Sequence, residues 1–169
     1  MATLKRRGKY NTVQEAVEGN TGICADDLVN PAREDPRAIK NMYNAAIAVI
    51  RALEQHTPIT IIGDYDSDGI NATAILVKLF RVEPEAIIPR RISDGYGLSE
   101  NLLDNIKTGL VITIDNGIRS VDEIAALKQK GCFVIVLDHH MPGDKLPAAD
   151  ILVDPHVNPH QNGFEHYCG

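Results

Sequence analysis

The sequence predicts an α/β protein with a doubly wound, mostly parallel sheet flanked by helices, and three observations support this fold class. Short β-branched runs alternate with helical patterns along most of the chain. Several of these runs are apolar throughout, as in strands that are buried on both faces. Strands that are joined through helices run parallel with right-handed crossovers.

The elements follow in a regular order after an N-terminal segment. Residues 1–36 show no sustained period and are predicted to be irregular or partly helical, whereas residues 37–169 form the predicted domain. The predicted elements are a helix over 37–55, strand 59–62, helix 70–80, strand 86–88, a helix after Ser99, strand 110–114, helix 121–130, strand 133–137 and strand 151–153.

The composition of the chain argues against several classes of protein. The chain has 169 residues, 17 Lys plus Arg, 23 Asp plus Glu and a net charge of −6, which argues against a general polyanion-coating protein. Three cysteines at wide spacings, Cys24, Cys132 and Cys168, indicate neither a disulfide framework nor a Cys-rich zinc site. We expect no membrane association and a cytoplasmic location, because no apolar run approaches the roughly 20 residues of a membrane span.

Acidic and imidazole side chains follow three predicted strands, and the carboxyl ends of parallel strands meet at one sheet edge. The residues concerned are Asp64, Asp66 and Asp68 after the first strand, Asp115 after the strand at 110–114, and Asp138, His139 and His140 after the strand at 133–137. Taken singly, Asp115 is also typical of a turn cap, and the run at 138–140 of a helix cap with exposed histidines. Together they predict a shared metal site.

Clustered carboxylates repel one another unless a cation compensates their charge. Oxygen ligands select Mg²⁺, Mn²⁺ or Ca²⁺, and an imidazole such as His139 shifts the preference towards Mn²⁺ or another transition ion. An EF-hand is disfavoured because Ile75 occupies the position of its last ligand. Gly69 is expected to relieve the backbone where the chain reverses after Asp68.

Four segments together resemble the DHH phosphoesterase superfamily and, within it, the RecJ-type single-strand exonucleases. The segments are residues 62–70 with Asp-Tyr-Asp-Ser-Asp-Gly, 89–98 with Gly-Tyr-Gly-Leu, 113–118 with Asp-Asn-Gly, and 137–140 with Asp-His-His. The resemblance implies two divalent cations, Mn²⁺ or Mg²⁺. It implies Asp66 and Asp68 as ligands of different metals, Asp64 as a further ligand or support, Asp115 as the bridging carboxylate and His139 as a ligand.

The same resemblance implies which residues contact the substrate phosphate. His140 is expected to contact the scissile phosphate, and Asp138 to orient the imidazoles. Arg91 and the Tyr96-Gly97 turn either position the phosphate or shape their loop, and both readings stay open.

For function, the resemblance implies 5′ to 3′ removal of mononucleotides from single-stranded DNA in repair or recombination. Family members continue past Gly169 into a further metal-binding Asp and a second domain, so we expect the chain to be the N-terminal part of a catalytic domain, weakly active or inactive alone. A separate C-terminal half or repair proteins are the expected partners, and no membrane partner is expected.

Three alternative functions compete with this interpretation. The first is another DHH phosphoesterase, acting on short oligonucleotides, cyclic dinucleotides or nucleoside bisphosphates, and the second is a non-catalytic partner-binding module. A phospho-acceptor receiver domain is disfavoured because the Asp-His-His run stands where a Lys would be needed. Asp154 is interpreted as a turn former before Pro155 in preference to a metal ligand, and His156, His160 and His166 as surface residues.

Overall fold

The computed structural model describes residues 10–22, 24–26, 35–80, 83–89 and 98–157. The chain divides into two compact units, Met1–Asp35 and Pro36–Gly169. In the first unit, helix α1 (Val13–Thr21) begins after Thr12, whose side chain accepts a hydrogen bond from Glu15 N, and ends at Gly22 with φ 70°. The assignment of residues 37–169 to one catalytic domain stays a prediction.

The second unit is built around a five-stranded parallel sheet, and this confirms the predicted fold class. Its strands are β1 (Ile59–Ile62), β2 (Glu85–Ile87), β3 (Leu110–Ile114), β4 (Phe133–Leu137) and β5 (Ile151–Val153). They lie in the order β2-β1-β3-β4-β5, and every neighbouring pair is parallel. All five residues of β3 are buried, as expected for the central strand of a sheet that is covered on both faces.

Helices cover both faces of this sheet. They are α2 (Met42–Glu54), α3 (Ser67–Leu79), α4 (Glu100–Leu103) and α5 (Val121–Gln129). Leu103 of α4 and Leu127 of α5 pack with Val111 on one face of β3. Ala52 of α2 packs with Ile112 on the opposite face, as the alternation of side chains along a strand requires. The described helices include none long and apolar enough to span a bilayer.

Two helices begin at residues other than those predicted. α2 begins at Met42 because Asn41 adopts φ 65°, and its side-chain amide donates to Leu152 O on the edge strand β5 at 2.8 Å. α3 begins three residues early, at Ser67, because the Asp66 side chain accepts a hydrogen bond from Gly69 N at 3.2 Å and so caps the helix. The strands β1, β3, β4 and β5 have the predicted bounds, and β2 starts one residue earlier than predicted.

Candidate metal centre

The predicted site residues lie where the strand order reverses. After β1 the chain crosses to β2 on one side and then returns to form β3 on the other. The loops that leave β1 and β3 therefore diverge and open a crevice at the carboxyl ends of these strands. Asp64 and Asp66 follow β1, Asp115 follows β3, and the 138–140 run follows β4, so the fold brings the three predicted groups to one edge.

Asp115 is the centre of this group. It is fully buried, and its backbone adopts the left-handed region at φ 61°, while its N–H donates to Leu137 O at 2.8 Å. Neither carboxylate oxygen accepts a hydrogen bond from a described residue, although His139 Nε2 lies 2.9 Å from Oδ1. A buried carboxylate without donors is costly, and a cation is the usual compensation.

Two groups of ligand atoms meet at Asp115. Asp64, Asp66 and Asp115 offer carboxylate oxygens within 4.8 Å of one another, and Asp115, His139 and His140 offer ligand atoms within the same limit. One group is all oxygen and the other adds two imidazoles. These donor sets, with the unpartnered oxygens of Asp115, fit divalent cations such as Mg²⁺ and Mn²⁺.

Asp68 lies at the margin of the cluster. Its Oδ2 is 3.7 Å from His139 Nε2, and it is part of neither three-residue group. It occupies the first turn of α3, where the positive end of the helix dipole favours a carboxylate. Asp68 is thus placed beside the imidazole of His139.

Asp138 holds the loop that carries both histidines. Its Oδ1 accepts hydrogen bonds from the backbone N–H groups of His139 at 2.8 Å and His140 at 3.1 Å, and lies 2.8 Å from His140 Nδ1. Its Oδ2 accepts from Ile118 N at 2.8 Å, which ties the loop after β4 to the loop after β3. The contact with Asp138 favours a proton on His140 Nδ1 and leaves Nε2 as the available ring nitrogen.

The electrostatics of the cluster are those of carboxylates that cannot all ionise without a cation. Burial, with the nearby charge of Asp68, raises the pKa of Asp115 to about 6. Burial also raises the pKa of Asp64, whereas the hydrogen bond that Asp66 shares with the Asp68 side chain and the one that it accepts from Gly69 N–H lower the pKa of Asp66. For His140, burial opposes the charged form, but the hydrogen bond and charge of Asp138 outweigh it and raise the pKa.

Gly69 and Asn116 support the site in ways that the sequence analysis missed. Gly69 has no positive φ, so the expected relief of a chain reversal is wrong. It is required for space, because a Cβ there would lie 2.7 Å from Asp64 Cβ and 3.0 Å from Asp115 Oδ2. Asn116 Nδ2 lies 3.4 Å from Ile62 O and so links the loop after β3 to the end of β1.

Asp154 occupies the end of β5, at the same edge of the sheet. Its Oδ1 accepts from His156 N at 2.7 Å, which is the geometry of the predicted turn, but its Oδ2 is buried without a partner among the described residues. Burial raises its pKa. It belongs to neither three-residue ligand group. Arg91, Tyr96, Gly97, His160 and His166 lie outside the described residues.

Comparisons with known proteins agree with this arrangement. Residues 58–168 match the model of the DHH family, N-terminal domain. The chain is 37% identical over 151 residues to the single-stranded-DNA-specific exonuclease RecJ of Salmonella typhimurium, and 37% identical over 127 residues to that of Bacillus subtilis. These matches cover 80% and 72% of this chain but 26% and 16% of the two relatives.

Solved structures show the same similarity. A crystal structure of exonuclease RecJ bound to manganese matches with a TM-score of 0.68 and 33% identity, over 75% of this chain and 34% of that one. RecJ of Thermus thermophilus in complex with Mn²⁺ matches with a TM-score of 0.65 and 30% identity, over 87% of this chain and 22% of that one. The family model covers all five described strands and the whole carboxylate and histidine cluster, and the chain belongs to the DHH family.

Proposed function

We propose that this chain forms the metal-binding catalytic region of a RecJ-like exonuclease that hydrolyses phosphodiester bonds of single-stranded DNA. The observation that carries the proposal is the pair of ligand groups that share Asp115. A shared carboxylate is what a site for two neighbouring cations requires. The relatives named as single-stranded-DNA-specific exonucleases, and their manganese-bound structures, support the substrate and the metal.

In this proposal the chain supplies ligands for two cations, Mn²⁺ or Mg²⁺. Asp64 and Asp66 would hold one, His139 and Asp68 the other, and Asp115 would bridge them. His140 stands close enough to Asp115 to ligate as well, and we assign it to the scissile phosphate because Asp138 already fixes its Nδ1. When bound, the cations supply the positive charge that lowers the pKa of an attacking water and neutralises charge developing on the phosphate.

The side chains of the site would position the substrate phosphate and hold a proton close to it. Asp138 fixes the ring of His140, and the raised pKa of that histidine favours the imidazolium, which would donate from Nε2 to a phosphate oxygen. The link from Asp138 to Ile118 N keeps the loops after β3 and β4 at a constant separation. This pre-organisation spares the site a rearrangement when charge develops on the substrate.

We further propose 5′ to 3′ removal of mononucleotides, in DNA repair or recombination. This proposal follows from the resemblance to RecJ-type proteins. The chain spans 26% of the length of the Salmonella relative. Metal and strand binding are therefore the primary readouts of a test on the 169-residue chain, and turnover is the secondary one.

The test combines calorimetric Mn²⁺ titration with digestion of 5′-labelled single strands, duplexes and dinucleotides. We expect Asp115→Asn to abolish Mn²⁺ binding, and the matched control Asp104→Asn to preserve it, because the Asp104 side chain is 84% exposed and lies outside both ligand groups. Binding of single strands that requires the metal supports the proposal. Absence of Mn²⁺ binding in the wild type contradicts it, and a preference for dinucleotides would favour the other DHH phosphoesterases.

A further inference from the structure

A cavity of about 360 Å³ adjoins the metal cluster and extends away from it along the loop after β3. Its lining includes Asp115 and His140 at one end, and Asn116, Arg119, Ser120 and Glu123 towards the start of α5. The cavity thus begins at the proposed scissile position and leads to a cationic side chain. Arg119, Ser120 and Glu123 belong to neither three-residue ligand group.

Arg119 lines this cavity as an exposed side chain that is tethered through its Nε. Its Nε donates a hydrogen bond to Met141 O at 2.8 Å, so the loop after β3 is joined to the residue that follows His140. A guanidinium carries five N–H donors in one plane. The four on Nη1 and Nη2 have no acceptor among the residues that the structure describes.

The backbone beside Arg119 offers further donors. Ser120 precedes α5 as its N-cap residue, but its side chain makes no capping hydrogen bond. Val121 N donates to Arg119 O at 3.0 Å, whereas the next N–H groups of α5 receive no cap from Ser120, which lines the cavity together with Arg119. A tethered guanidinium beside backbone N–H groups is a favourable combination for a phosphate, although Asp122 and Glu123 in the first turn of α5 act against it.

We propose that Arg119 binds a phosphate of the nucleic-acid strand next to the scissile one and so sets the register of the strand on the metal site. The inference rests on the proposed function, since it assumes a strand with several phosphates. The shared chemistry is a phosphate anion, which is either an internal phosphodiester or a terminal 5′-phosphate. Arg119 is a positioning residue here, because it lies beyond the ligand groups.

Glu123 has the opposite charge to Arg119, so removing its charge should have the opposite effect on strand affinity. It lines the same cavity from the first turn of α5, and no ion pair joins it to Arg119. A carboxylate at this place repels a phosphate. Removing the negative charge should therefore strengthen strand binding, whereas removing the charge of Arg119 should weaken it.

The experiment measures fluorescence anisotropy of 3′-labelled oligothymidylate, with and without a 5′-phosphate, over a range of salt concentrations and with Ca²⁺ in place of Mn²⁺. The proteins are the wild type, Arg119→Gln, Arg119→Lys and Glu123→Gln. We expect Arg119→Gln to bind about tenfold more weakly, since a hydrogen bond to a charged group is lost. The slope of log K against log salt should fall by about 0.7, the amount for one phosphate contact of a single strand. Arg119→Lys should keep the slope, and Glu123→Gln should bind more tightly.

Melting temperature and Mn²⁺ affinity separate this role from a structural tether to Met141. Loss of strand affinity with an unchanged salt slope and a lower melting temperature would overturn the inference. A loss confined to the 5′-phosphorylated strand would support it and assign the terminal phosphate, and a loss with both strands would support it and assign an internal one. Unchanged binding by Arg119→Gln would refute this inference alone, whereas a wild type that binds no strand would refute the proposed function with it.

Discussion

Replacing Asp115 by Asn should make the metal-free protein more stable while removing its response to Mn²⁺. The wild-type carboxylate is fully buried and neither of its oxygens accepts a hydrogen bond from a described residue, so its charge destabilises the fold at neutral pH. Asn is the suitable replacement because the backbone has φ 61°, a conformation that Asn adopts as readily as Asp and that would strain an Ala. Its amide group can also donate to a neighbouring carboxylate.

The magnitude follows from the pKa of Asp115. A rise from the ordinary value of 3.8 to about 6 corresponds to a loss of about 3 kcal/mol of folding free energy at neutral pH. The folded state binds the proton more tightly than the unfolded state, so this loss develops as the pH rises from about 4 to about 6 and is absent below about pH 4. Asp115→Asn should therefore gain up to about 3 kcal/mol at neutral pH and nothing in acid.

Urea unfolding in the presence of a chelator, at about pH 4 and at neutral pH, measures the difference. Mn²⁺ at a hundred times its dissociation constant should then stabilise the wild type by about 2.7 kcal/mol and the variant hardly at all. Asp138→Asn is the matched control, because four N–H groups converge on that carboxylate and an amide would oppose one of them. It should lose about 2 kcal/mol or more.

The same substitution at two buried aspartates is thus expected to have opposite signs. An Asp115→Asn variant that is less stable than the wild type in chelator at neutral pH, or whose gain does not shrink in acid, would mean that the protein itself compensates the charge of Asp115. A gain in stability by Asp138→Asn in the same conditions would contradict the expected role of the N–H groups around Asp138.

Three further substitutions test the space at Gly69, the packing of the core at Leu127 and the role of Asp154. Gly69→Ala should cost about 1–3 kcal/mol in urea unfolding and weaken Mn²⁺ binding, because the new Cβ would lie 2.9 Å from Asp64 Cα; a gain, as helix propensity alone predicts, would contradict this. Leu127→Ala should lose about 3 kcal/mol, since the side chain is fully buried, with Mn²⁺ affinity unchanged by calorimetry in the folded protein. Asp154→Asn should keep its turn to His156 N and its Mn²⁺ affinity, and a tenfold loss of that affinity would make Asp154 a ligand.

The clustering of these side chains was predictable because the loops that follow parallel strands lie at one edge of the sheet. Once the strands at 59–62, 110–114 and 133–137 are recognised by their apolar runs, the carboxyl end of each must lie at the same edge. The residues after them then share a crevice whatever the details of the helices. The early start of α3 was also within reach of the sequence, since Asp66 is a good N-cap residue three positions before Gly69.

The remaining features depend on distances that a sequence does not contain. The need for Gly69 arises from the approach of α3 to Asp64 and Asp115, two residues on different loops. The left-handed backbone of Asp115 and the tether of Arg119 to Met141 likewise depend on how separate loops dock. Local patterns cannot report such contacts, because they join residues up to 46 positions apart, as Gly69 and Asp115 are.

Asp115 has several features that destabilise the fold, and the surrounding structure holds it in place. Asp115 combines a positive φ, complete burial and a raised pKa, each of which reflects a cost in free energy. The contact of His139 Nε2 with Oδ1 at 2.9 Å offsets part of the cost of its charge. It directly follows β3, the central strand, which is hydrogen-bonded to a neighbour on each side and wholly buried. Its own N–H is bonded to Leu137 O, while the nearby Asn116 and Ile118 link to the end of β1 and to the loop after β4. A carboxylate fixed so firmly cannot turn to solvent, and this rigidity would keep it in place for the cations of the proposed function.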